Sequence, residues 1–253
     1  HVGVIDGSRG TITNEQGGFR LNLRNIDNSD TLKFSCVGYH SKGFQVDSAI
    51  NKKKLEVILE ERNYEIKKIV VSPTDKKIEL GSKRAHNSGF QYGAVGKGFE
   101  VARFFPIDHK VALKQFSFHF TTDYDSLLFE LNVYSNNEGV PGDHLNNKPI
   151  LFKTSHEGWV TKDLSAHHLV IREDFFLSVE AVKGWVDNDE DIIITTVTGK
   201  DREAFGLGKL LGLNRGGKGY SLMKSESIGQ WRKAEDVVAD FHVVAQQYKG
   251  KFE

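Results

Sequence analysis

Gly10-Thr11-Ile12-Thr13-Asn14-Glu15-Gln16-Gly17-Gly18-Phe19, followed by Asp30-Thr31-Leu32-Lys33-Phe34-Ser35-Cys36-Val37-Gly38-Tyr39, reads as strand, tight turn, strand, loop and strand. Thr13-Asn14-Glu15-Gln16-Gly17 supplies the turn, because Asn and Gly accept the backbone angles a sharp reversal demands. The same period of two runs through the chain. Phe19, Leu21 and Leu23 alternate with Arg20, Asn22 and Arg24, and Leu55, Val57 and Leu59 with Glu56, Ile58 and Glu60. Phe116, Phe118 and Phe120 are separated by Ser117 and His119, and Phe129, Leu131 and Val133 by Glu130 and Asn132. Phe175, Leu177, Val179 and Ala181 alternate with Phe176, Ser178 and Glu180, and Phe241, Val243 and Ala245 close the series. Short strands with one apolar and one polar phase, broken by Gly, Asn, Asp and Ser, predict an all-β chain of antiparallel sandwiches. Helix is scarce; one turn is expected over Lys233 to Val238.

The 253 residues bury a real core without any staple. Lys and Arg together number 34, as do Asp and Glu, so the formal net charge is zero. A nucleic-acid binder carries a basic excess or a basic face, and that class is set aside. The lysine runs 52–54, 67–68 and 76–77 sit in acidic company and read as solvated surface. A single cysteine excludes an intramolecular disulfide and a cysteine metal cluster. Lying in an apolar strand, Cys36 is expected to be a buried small hydrophobe. No apolar run approaches the roughly 18–20 residues of a membrane helix, so no transmembrane segment is expected.

Val71-Ser72-Pro73-Thr74-Asp75 ends an apolar strand in a Pro-containing polar turn, which divides the chain into residues 1–74 and 75–253. The first part resembles the carboxypeptidase regulatory-like domain of Bacteroidota envelope proteins. The resemblance rests on Gly10 to Phe19, on Leu32-Lys33-Phe34-Ser35 with Gly38-Tyr39, and on Leu55 to Glu60 followed by Ile69-Val70-Val71. It implies an immunoglobulin- or transthyretin-like sandwich, and because Val2 to Ile5 aligns with the family's second strand, it implies a first strand upstream. It also implies an envelope address: periplasmic, outer-membrane-associated or extracellular. It brings no catalytic residues, and the zinc motifs of the peptidases such domains accompany are absent. The second part resembles jelly-roll-like accessory domains of secreted Bacteroidota proteins. That likeness rests on Tyr134 with Gly139-Val140-Pro141-Gly142 and Leu145, on Gly158-Trp159-Val160 with Asp163-Leu164-Ser165, and on Asp174 to Glu180. Domains of that kind serve as adhesins, carbohydrate-binding modules or plain structural units, and fold alone does not choose.

Two groups of residues carry chemistry. Asp187, Asp189 and Asp191 alternate in one acidic loop and present the hard oxygens that Ca²⁺ takes. The Gly and Glu of a calcium-binding hand are missing, so a solvated turn is the plainer reading. Trp185, Tyr220 and Trp231 are the candidates for a stacking platform under sugar rings, alongside Trp159 and Tyr134. Aromatics in a sandwich more often fill its core. The glycine-rich stretches 206–212 and 215–219 match neither a dinucleotide fingerprint nor a P-loop. The ten histidines show no ligand spacing, and no Gly-x-Ser-x-Gly elbow exists. No cofactor is required by any of this; Ca²⁺ at the acidic loop is the one candidate. The expectation is a non-enzymatic envelope or secreted binding protein whose second sandwich takes a glycan or protein ligand. Glycan hydrolysis and a purely structural role are the alternatives.

Overall fold

The computed structural model describes residues 1–5, 9–14, 16–50, 55–62, 73–86, 88–92, 98–121, 127–154, 157–184, 208–214, 219–225, 227–235 and 237–251. Among these residues regular structure is almost entirely antiparallel strand, with helix confined to Val46–Ile50 and a single turn at Ser165–His167. No helix among them is long and apolar enough to cross a membrane.

The first unit is a four-stranded sheet in the order Gly10–Thr11, Val2–Val4, Thr31–Phe34, Lys42–Gln45. Its register sets Val2 opposite Phe34 and Val4 opposite Leu32, so one face collects Val2, Val4, Leu32 and Phe34 into a core with Val46. The Asn14 turn forms as its chemistry dictates. The Asn14 side-chain oxygen accepts from the Gln16 and Gly18 amides at 3.1 and 2.7 Å, and Gly17 takes a φ of +78°. The alternation at Leu55, Val57 and Leu59 holds as burial, since all three pack on this core. Residues 55–59 nevertheless carry no strand assignment; only Glu60–Glu61 pairs, with Tyr39–His40.

The second unit is a sandwich of an eight-stranded and a seven-stranded sheet. The first runs Val237–Ala239, Gly208–Asn214, His109–Thr121, Phe241–Lys251, Pro73–Gly81, with side branches on His109–Thr121 and Gly208–Asn214. The other runs Val140–His144, Leu127–Asn137, Phe175–Gly184, Glu100–Phe105, Ser221–Lys224, Arg232–Lys233. Between them lie Phe116, Phe118, Phe120 and Phe241 from one sheet and Phe105, Phe129 and Phe175 from the other, all essentially inaccessible. Phe118 meets Phe129 edge-to-face at 5.4 Å across the interior. Each such ring contributes about 1.5–3 kcal/mol by burial, which makes this layer the main source of stability.

Two expectations fail here. Among the described residues of Lys233 to Val238 there is no helical turn: Arg232–Lys233 and Val237–Ala239 are strands, and Val237 and Val238 pair with Asn214 and Leu213. Their β-branched side chains suit a ladder better than a helix. Cys36 is exposed rather than buried. The strand stops at Phe34, and a turn closed by the Tyr39 amide on the Cys36 carbonyl at 3.1 Å carries the thiol out of the inward phase.

Candidate functional site

Three neighbouring strands of the seven-stranded sheet put Phe129, Leu131, Val133, Phe175, Leu177, Val179, Val101 and Phe105 into the sandwich, and Ser221–Lys224 pairs beside them. The opposite phase therefore faces away from that core, and register decides which outward residues meet. Glu130 lies opposite Glu180, Glu180 opposite Glu100, and Glu100 opposite Lys224. Three carboxylates and one ammonium thus form a row across the sheet. The next rows along the strands hold Asn132, Ser178, Ala102 and Leu222, then Tyr134, Phe176 and Phe104. A row of like charges is unfavourable in water, and this one is not in water: Glu100 and Glu180 are completely buried and Glu130 and Lys224 nearly so.

The first unit supplies the cover. His1 sits over the row, with Nδ1 3.4 Å from Glu180 Oε1 and Nε2 4.0 Å from Glu130 Oε2. Nearby, the Ser227 hydroxyl donates to the Thr11 carbonyl at 3.0 Å, joining the two units directly.

The carboxylates differ sharply in their partners. Glu100 Oε1 accepts from Tyr134 Oη at 3.0 Å, from Asn132 Nδ2 at 3.1 Å and from the Ser178 hydroxyl, while Oε2 pairs with Lys224 Nζ at 2.6 Å. Burial opposes its charge, yet the lysine and these donors outweigh burial and hold its pKa below the ordinary range. Lys224 is held charged in return: burial works against its ammonium, and Glu100 more than restores it. Glu180 has weaker support, from the Lys224 charge and the Asn132 side chain. Neither of its oxygens makes a hydrogen bond of good geometry. Burial first, then the charge of Glu100, pushes it up to about 8 against the opposing pull of Lys224. Burial and the neighbouring Glu180 push Glu130 up to about 8 as well.

Beside the row opens a cleft of about 420 Å³ lined by both units. The first unit contributes Ser35, Cys36, Tyr39, His40 and Arg62, and the second Asp143, His144, Lys224, Gln230 and Trp231. His1 and Tyr134 also line it, which connects the cleft to the carboxylate row. Trp231 is half-buried, with the Lys224 ammonium 5.0 Å from its ring centre and the Tyr134 ring edge-on at 5.9 Å. Tyr39 remains 37 % exposed. Burial lowers the His144 imidazole to about 4, so it stays neutral at physiological pH.

Residues 1–71, which build the covering unit, match the family model of the CarboxypepD_reg-like domain. They form a CarboxypepD_reg-like domain. No curated protein and no solved structure matches the chain. The CarboxypepD_reg-like domain is a non-catalytic one, and in this chain it serves as a lid on the outer face of the larger sandwich and as one wall of the cleft.

Of the sequence-stacking candidates, Trp231 lines the cleft. Tyr220 does not: its hydroxyl donates to the Gly139 carbonyl at 2.8 Å, and its ring stacks on Phe104 and lies 5.1 Å from the Lys233 ammonium. Tyr134 is buried against Trp231 and His144, and Trp159 lies apart on an edge strand beside His119. Trp185, Asp187, Asp189 and Asp191 lie outside the described residues. Sequence reasoning missed the Glu130–Glu180–Glu100–Lys224 row. One signal was available: the polar phase of these strands also holds Tyr134, Phe176, Phe104 and Leu222, more apolar bulk than a solvated face carries.

Proposed function

We propose that this chain is a non-enzymatic binding protein of the bacterial envelope or secreted space, of the Bacteroidota type, and that a short glycan seats in the cleft between the CarboxypepD_reg-like domain and the larger sandwich. The cleft carries the reading. Its walls are mainly polar, as a hydroxyl-rich ligand requires, and Trp231 and Tyr39 provide a ring from each side for stacking against sugar. Its charged groups include Arg62 and Asp143, which suits an acidic or amide-bearing sugar. Hydrolysis of a glycosidic bond needs two carboxyl groups flanking the bond. Among the described residues only Asp143 brings a carboxylate to the cleft, and this favours capture over cleavage. Titration calorimetry against a panel of neutral and acidic oligosaccharides tests the proposal. Binding by the wild type, weakened about tenfold or more in Trp231→Ala and in Tyr39→Ala, a loss of about 1.4 kcal/mol each, is the expected result. A folded wild type that binds nothing in the panel overturns it and leaves the structural role. Release of reducing sugar would instead establish the hydrolase.

A further inference from the structure

The buried row contains a charge imbalance that the protein itself does not settle. Glu100, Glu130 and Glu180 offer three negative charges, and Lys224 returns one positive charge. Lys224 and the Glu100 donors form a complete arrangement, with every Glu100 oxygen engaged. Glu180 is fully buried immediately beside it, with neither oxygen hydrogen-bonded. A buried carboxylate without hydrogen bonds is costly, and Glu180 has the carboxylate of Glu130 beside it. The imidazole above them also has a buried Nδ1 without a hydrogen-bond partner.

The geometry resolves this. One donor atom each from His1, Glu130 and Glu180 fall within 4.8 Å of one another. His1 Nδ1 stands 3.4 Å from Glu180 Oε1, whereas the 4.0 Å approach to Glu130 Oε2 is made by the other ring nitrogen, Nε2, and only one nitrogen can serve a single ion. Ligands about 2.1 Å from a tetrahedral ion stand about 3.4 Å apart, so the His1–Glu180 pair already has ligand spacing and the third donor, within 4.8 Å, must draw in. A doubly charged ion would also meet the negative charge that Glu130 and Glu180 carry when ionised.

We propose that His1, Glu130 and Glu180 bind a divalent transition-metal cation that fastens the CarboxypepD_reg-like domain to the outer face of the sandwich. An imidazole nitrogen with two carboxylates favours a borderline ion such as Zn²⁺ over the all-oxygen preference of Ca²⁺. Three protein ligands leave a fourth position, and His1 lines the cleft through which ion and water would reach it. The ion does structural work: one ligand comes from the first unit and two from the second, so coordination exists only when the units are docked. The other titratable groups facing the ion are Glu100 and Lys224, which stay a charged pair, Tyr134 and His144, which stay neutral, and the His1 α-amino group, whose pKa burial lowers against the pull of Glu180 and Glu130.

The test uses the untagged full chain, stripped with chelator and then titrated with Zn²⁺, with Mn²⁺ and Ca²⁺ as comparators. The expected result is one Zn²⁺ per chain by elemental analysis, a higher melting temperature on loading, and weaker uptake of Ca²⁺. Glu180→Gln and Glu130→Gln, whose folding is checked by circular dichroism, should lose at least a hundredfold in Zn²⁺ affinity, while His168→Ala, a surface histidine, should bind as the wild type does. A stripped wild type that takes up no zinc overturns the proposal, as does a folded Glu180→Gln that binds zinc as tightly as the wild type. The first of those outcomes would mean that Glu130 and Glu180 are kept neutral by protons alone.

Discussion

Replacing Glu180 by Gln isolates the energetic consequence of the buried row, and the metal-free chain is where it shows. In the folded protein Glu180 and Glu130 titrate near 8, whereas the unfolded chain loses those protons near the ordinary Glu value of 4.5. Between these values the folded state holds protons that the unfolded state has released. Stability from these groups is therefore complete below about pH 4.5 and falls as pH rises toward 8. One such group costs about 1.4 kcal/mol per pH unit over that window, hence about 5 kcal/mol if it acted alone. Because the two carboxyls repel each other they share this cost, and about 3 kcal/mol is a fair figure for removing one. Gln keeps the shape and cannot ionise. At pH 5 its buried amide lacks partners and should make the variant less stable by about 1–3 kcal/mol. At pH 9 the sign reverses, since the wild type must ionise both carboxyls and the variant only one. Thermal melts in chelator should therefore cross between pH 5 and 9. The wild type should lose about 6 °C more than Glu180→Gln over that interval, taking about 2 °C per kcal/mol for a chain of this size. Parallel pH profiles would refute the reasoning, because they would mean that Glu180 meets water or a partner in solution.

Lys224→Met strands Glu100 without its counter-charge, and should cost about 3–5 kcal/mol in urea unfolding; a loss below about 1 kcal/mol would show that the pair is solvated. Cys36 should react with a thiol reagent in the native chain to one equivalent, and faster as pH rises, because partial burial raises its pKa. Since Cys36 lines the cleft, a bulky adduct there should block ligand binding.

Much of the framework was legible along the chain. Phe129, Leu131 and Val133 point into the sandwich as their spacing requires, as do Phe175, Leu177 and Val179. Asn14 and Gly17 make the turn that their chemistry demands. The misreadings have local causes. Cys36 continues the inward phase of Leu32 and Phe34 on paper, but the strand ends before it. Leu55, Val57 and Leu59 alternate in burial without the strand their spacing suggested, since period two reports which side is apolar and not which neighbour is hydrogen-bonded. Trp231 is conspicuous in the sequence because tryptophan is rare, whereas Glu130 and Glu180 are not, because a glutamate between apolar residues is the ordinary mark of a solvated face.

The amino-acid order by itself determined the all-β class, the inward and outward phase of nearly every strand in the core, and the family of the first 71 residues. These are local properties: alternation follows from the pleat, and turns from the residues within them. Only the tertiary structure decided that Glu130, Glu180, Glu100 and Lys224 stand side by side, because they come from four strands whose register depends on pairings up to 124 residues apart. It also decided that a second unit covers their face. A carboxylate that alternation assigns to water becomes a buried one when another domain docks over it, and no spacing within one strand records that event.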